Sequence, residues 1–157
     1  MKIRVISKET IKPSSGTPSP VHTYRFSLSD QLAPPFFVPV ISNLNIYEKL
    51  KTSLSECLGC FYPLAGRIKR DERTVDLGQG AVLVKRQVDA QLAKLLANPE
   101  LNLVQQLLPL DPYDIQCQNA LVTAIQLNLF DCGGIGIGVY ISHKIADGVT
   151  LSTFLSS

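Results

Sequence analysis

No stretch of this sequence stays apolar for long enough to span a bilayer. None of its asparagines begins an Asn-x-Ser/Thr acceptor site, and the opening Met1-Lys2-Ile3-Arg4-Val5-Ile6-Ser7-Lys8-Glu9 lacks the apolar block of a secretion signal. Together these features favour the cytosol. Charge of one sign is also scarce. Fifteen Lys and Arg against 13 Asp and Glu leave a net charge of +2, which gives no electrostatic case for nucleic acid or an anionic membrane as the main partner. There is no phosphate-cradling loop with a Walker lysine, and no Ser sits in a G-x-S-x-G elbow. Gly134, Gly136 and Gly138 miss the G-x-G-x-x-G pattern because Val139 holds its last position. They read instead as places where another backbone approaches a strand closely.

Cysteine is limited to Cys57, Cys60, Cys117 and Cys132. In a reducing compartment these are free thiols. Cys57 and Cys60 have the spacing of a zinc or redox pair, but there is no second pair and neither histidine follows at finger spacing. They are expected to be ordinary core or half-buried thiols, with no metal site.

What is present is enough for one globular domain. The 157 residues are 45% hydrophobic and 18% charged. Residues 3–11 alternate as a strand and stop at Lys12-Pro13. Residues 13–20 are loop by composition. A short strand is expected near Tyr24–Ser27, then a turn-rich stretch over 28–35. A buried strand follows from Phe36 to Ile41, although Pro39 argues against an interior position. The clearest helix covers about 45–61, where Leu44, Tyr47, Leu50, Leu54, Leu58 and Phe61 make one apolar stripe. Asn45 and Glu48 resemble a capping box, and Gly59 and Pro63 end the helix.

Short strands near 67–70 and 74–77 precede a turn at Gly78-Gln79-Gly80 and a strand from Ala81 to Val88. Residues 89–97 and about 100–107 look helical, broken at Asn98-Pro99, and Pro109–Asn119 is loop. Two strands follow. In the first, Leu121, Thr123, Ile125, Leu127 and Leu129 share a face opposite Gln126 and Asn128. In the second, Ile135, Ile137, Val139 and Ile141 oppose Gly136, Gly138, Tyr140 and Ser142. Asp131-Cys132-Gly133-Gly134 joins the two as a hairpin, and a helix begins at Gly148. Strands and helices without strict βαβ alternation indicate an α/β fold on a mixed sheet.

The chemistry concentrates at His143. It follows an apolar strand, with Asp147 four residues later and Gly148 next. A strand end holds a ring rigidly, a glycine turn leaves room for a ligand, and imidazole suits proton abstraction near neutral pH. Asp147 either orients the ring or caps the following helix, and both readings stand. The bare spacing is weak, and a satisfied histidine at a strand terminus is the plain alternative. His22, in a Pro/Ser loop, reads as solvated. Arg67 reads as structural, away from the His143 loop, and Lys69–Arg73 reads as a charged turn.

The flanking residues add a resemblance. Cys132-Gly133-Gly134-Ile135-Gly136-Ile137-Gly138 followed by Ser142-His143-Lys144-Ile145-Ala146-Asp147-Gly148 closely resembles the active-site region of the plant BAHD acyltransferases. Phe61-Tyr62-Pro63-Leu64-Ala65-Gly66-Arg67 resembles a second stretch of that family, and the alkaloid-acetylating branch looks most similar. The resemblance runs from about Lys2 to Phe154. It implies an α/β, chloramphenicol acetyltransferase-like fold with a mixed sheet flanked by helices, in which residues 1–157 are the amino-terminal portion of a two-domain enzyme. It implies an active site between the domains, with His143 as general base and with Asp147 and Gly148 structural at the site. The aspartate is expected to turn from the substrate toward an arginine. The expected partners are a small-molecule acyl acceptor, acyl-CoA as co-substrate with no permanently bound cofactor, and a carboxyl-terminal domain. Members are much longer and carry Asp-Phe-Gly-Trp-Gly near their end, whereas this chain has no Trp. The rival readings are an inactive truncated relative and a peptide-synthetase condensation domain. The latter usually has paired histidines, and Ser142 holds the first of those positions here.

Overall fold

The computed structural model describes residues 1–16, 23–25, 36–40, 46–69, 74–110 and 121–157. Eight strands are found among the described residues: β1 (Lys2–Ile11), β2 (Thr23–Arg25), β3 (Phe36–Val40), β4 (Arg67–Ile68), β5 (Thr74–Asp76), β6 (Ala81–Asp89), β7 (Thr123–Phe130) and β8 (Ile135–Ile141). The helices among the described residues are α1 (Ile46–Cys60), α2 (Leu92–Ala97), α3 (Leu101–Gln105) and α4 (Gly148–Ser156), with a 3-10 turn at Tyr62–Ala65.

Five strands form one sheet in the order β1-β6-β7-β8-β3, and β2-β5-β4 form a smaller one. The β6–β7 pair is parallel and the other pairs of the large sheet are antiparallel, so the sheet is mixed as expected. Pro39 lies in β3, at the sheet's edge, where a residue without an amide hydrogen is tolerated.

One face of β7 and β8 carries the main core. Ile125, Val139 and Ile141 meet Leu54 and Leu58 of α1 and Leu151 and Phe154 of α4. Leu58 is fully buried, and burying a side chain of that size stabilises by about 1.5–3 kcal/mol. The Phe61 and Phe154 rings meet edge to face with centroids 5.7 Å apart, linking the end of α1 to α4. At the start of α1, Lys51 Nζ lies 2.5 Å from Glu9 Oε2, and Tyr47 Oη donates to Glu9 Oε1 at 2.7 Å. These donors hold the Glu9 carboxyl below its ordinary value, Lys51 foremost.

The opposite face of β7 is covered too. Asn128 and Gln126 are fully buried there. Asn128 Nδ2 donates to the Leu107 carbonyl at 2.9 Å and to the Gly136 carbonyl at 3.3 Å. Gln126 Nε2 donates to the Gln106 carbonyl at 3.1 Å and to Asn128 Oδ1 at 2.7 Å. These amides clamp the end of α3 against the sheet. Gly138 makes the approach possible, because a Cβ there would collide with the Leu107 carbonyl oxygen.

Several elements differ from expectation. Strand β6 runs to Asp89, so the helix expected from residue 89 starts only at Leu92, and the second ends at Gln105. Leu121 precedes β7, and a bend at Val122 breaks the alternation. Val122 therefore joins the Ile125 side, while Leu121 packs with Val82, Val84 and Ala124 on the other. Cys60 is exposed rather than half-buried. The expected Asn45 cap, the 28–35 turn, His22 and residues 70–73 lie outside the described residues.

Candidate active site

Strand β8 delivers the chain to His143. Beyond Ile141, the Ser142 amide donates to the Val122 carbonyl at 2.8 Å, anchoring the backbone to the end of β7. The Ser142 carbonyl then accepts from the amides of Ile145 at 3.0 Å and Ala146 at 3.2 Å, closing a tight turn. His143 is the first residue of that turn and is half-buried, so solvent reaches it. No described residue hydrogen-bonds its ring. Ser142 and Ala146 are buried on either side, and Ile145 packs against the main core. The histidine backbone is therefore held at both ends.

Asp147 is the N-cap of α4. Its Oδ1 accepts from the Thr150 amide at 2.8 Å and from the Thr150 hydroxyl at 2.7 Å. These bonds hold its carboxyl below the ordinary value, the amide contributing most. Gly148 opens the helix, with nothing within 4 Å of where a Cβ would stand. Asp147 and Gly148 are exposed, so His143 and Asp147 share one loop and have different surroundings. The carboxylate's partners among the described residues are Thr150's groups, not an arginine. Sequence reasoning missed Thr150, although Asp-Gly-Val-Thr carries the three-residue spacing of a cap that reaches a helix amide. It also missed the Gln126–Asn128 clamp. Its signal was two amides in an apolar strand opposite glycines.

Arg67 lies nearer this loop than expected, since it bridges in backbone to Leu121, beside Val122. Its guanidinium turns elsewhere, donating to the carbonyls of Gly66 and Gly80, and burial pulls its pKa down. Hollows flank other parts of the fold. A crevice of about 600 Å³ includes Asp89, Lys94, Asp131 and Cys132, and an apolar cavity of about 220 Å³ includes Leu54, Cys57, Val139 and Phe154.

The sequence profile of the Transferase family matches residues 1–157 in full. The chain belongs to this family, the BAHD acyltransferases. Among curated BAHD relatives it is 37% identical over 167 residues to a limonoid 21-O-acetyltransferase of Melia azedarach, covering 100% of this chain and 39% of that protein. It is 36% identical over 171 residues to stemmadenine O-acetyltransferase of Catharanthus roseus, covering 99% and 41%. The crystal structure of vinorine synthase superposes with a TM-score of 0.81 at 39% identity, covering 98% of this chain and 41% of that one. The BAHD fold with its mixed sheet and flanking helices is thus the fold observed. The chain spans about two fifths of the length of the relatives it matches. Among the described residues, no helix is long and apolar enough to cross a membrane.

Proposed function

We propose that this chain is the amino-terminal part of an acyl-CoA-dependent acyltransferase, with His143 as its general base. The observation that carries the reading is the anchored turn after β8, which presents a solvent-reachable imidazole; the resemblance of residues 142–148 to the BAHD active-site stretch supports its role as the base. His143 takes the proton from a hydroxyl or amine of the acceptor. The freed oxygen or nitrogen attacks the thioester carbonyl, the carbon–sulfur bond breaks, and the coenzyme A thiolate leaves with that proton. No covalent acyl-enzyme is required, because the thioester is already activated.

The acyl group favoured is acetyl, and the acceptor class is a small plant specialised metabolite. Support comes from the relatives, named as acetyltransferases of a limonoid, of stemmadenine and of salutaridinol. In this reading Asp147 and Gly148 are structural. They start α4 and fix the far end of the turn without touching substrate. The protein works in the cytosol as a monomer, binding no metal and no permanent cofactor.

Much of the acceleration in such a reaction comes from aligning two bound substrates. That alignment requires walls from a carboxyl-terminal domain, so the 157 residues alone turn over little or no substrate. Turnover of acetyl-CoA by this chain would refute that part. In a protein of the relatives' full length, His143→Ala is expected to lower kcat by about 10²–10⁴-fold while its circular dichroism and melting stay unchanged. Unchanged kcat would remove His143 from the role.

A further inference from the structure

We propose that Cys57 and Cys60 close as a disulfide across the last turn of α1, by exchange with a low-molecular-weight disulfide such as oxidised glutathione. The inference is independent of the function proposed above. Both cysteines are free thiols in the structure, Cys57 half-buried and Cys60 exposed. They stand three residues apart in a regular helix that ends at Cys60. A helix of about 2.3 Å radius rising about 1.5 Å per residue places such Cα atoms about 5 Å apart. That separation falls inside the roughly 4.4–6.8 Å that disulfides span. Residues at this spacing share a face, with Cβ atoms about 5–6 Å apart, so closure needs an approach of about 1–2 Å.

That approach falls at the end of the helix. Gly59 precedes Cys60, and α1 gives way to the 3-10 turn at Tyr62–Ala65 immediately beyond. The Cys57 sulfur touches the Ser157 hydroxyl at 3.4 Å, a weak contact, and the residue lines the apolar cavity while packing against the edge of the main core.

The order of events follows exposure. Cys60, as its thiolate, attacks one sulfur of oxidised glutathione, releasing one glutathione and forming a mixed disulfide. The Cys57 sulfur then attacks Cys60 Sγ and releases the second glutathione. The two thiol protons pass to the two glutathione thiolates. The protein dithiol is oxidised by two electrons and the glutathione disulfide is reduced by two. Cys60 is thus the attacking thiol and Cys57 the resolving one.

Trypsin cuts after Lys51 and Arg67, so residues 52–67 carry both cysteines on one peptide, apart from Cys117 and Cys132. After incubating the 157-residue chain with oxidised glutathione, this peptide is expected to lose the mass of two hydrogens with no glutathione adduct. Dithiothreitol should reverse the loss. Cys57→Ser should trap a glutathione adduct on Cys60, because the resolving thiol is gone. Cys60→Ser should abolish the closed peptide. A wild-type peptide that keeps both thiols, or that accumulates a stable glutathione adduct on Cys60, would overturn the proposal.

Discussion

Replacing Gly138 by Ala tests the closeness of α3 to the sheet. The new methyl would meet the Leu107 carbonyl oxygen, with the Leu108 Cα at 3.1 Å and the Leu107 carbonyl carbon at 3.2 Å. All three atoms are backbone, so no flexible side chain can swing aside. The segment must lift, and the Leu107 carbonyl then leaves Asn128 Nδ2, now 2.9 Å away in a fully buried site. Overpacking of this kind costs about 1–3 kcal/mol. A buried polar group left unpaired costs about 1–3 kcal/mol more. The expected loss is therefore about 2–6 kcal/mol, a large share of the roughly 5–15 kcal/mol that holds an ordinary domain together. Urea unfolding followed by far-ultraviolet circular dichroism reads it as a lowered midpoint at an unchanged slope. Gly148→Ala is the control. It meets nothing within 4 Å at the first position of α4, so its stability should stay within about 1 kcal/mol of the parent. If Gly138→Ala lost less than about 0.5 kcal/mol, the level of an ordinary surface change, the close-approach argument would fail.

Leu58→Ala empties a fully buried site between α1 and the sheet and should destabilise by about 2–5 kcal/mol in the same urea assay. A loss under about 1 kcal/mol would mean that the core collapses around the vacancy. The Asp147 cap should depend on acid in a definite direction. Its folded value is lowered, so its contribution is complete above the ordinary value of 3.8 and fades as pH falls through the lower folded value. The Thr150 amide resonance should titrate with a midpoint below 3.8, and Asp147→Asn should remove that titration. A midpoint above 3.8 would contradict the hydrogen bonds assigned to this carboxylate.

The parts legible in the sequence were those governed by local rules. The hairpin at Asp131–Gly134 closes with Gly133 at φ +82°, and Gly78 and Gly80 also take positive φ, all conformations that favour glycine. The α1 stripe appeared because its spacing repeats over four turns. The approach at Gly138 was anticipated in kind, since glycines in a strand admit another backbone, but its partner was not. Leu107 lies 31 positions away in sequence, and no local pattern names it. The Leu121 error has a similar origin. Period-two alternation holds only while the chain stays extended, and a single bend at Val122 exchanged the two sides. The helix expected from residue 89 failed because pairing with β1, Lys2 opposite Asp89, carried β6 further than its own composition suggested. At the site, the position of His143 followed from strand-end logic. Its anchoring through Ser142 and Val122 needed the fold.

The parallel pairing of β6 with β7 adds a consequence for the clamp on α3. Residues 90–122 connect that pair, whereas residues 131–134 connect β7 and β8. Closing the longer connection costs about 2 kcal/mol more in chain entropy. Gln126 and Asn128 bind the Gln106 and Leu107 carbonyls within that connection, so their hydrogen bonds help offset the cost of bringing its ends together. Two amides on the β7 face opposite the main core therefore help hold the strand order from which the His143 turn extends.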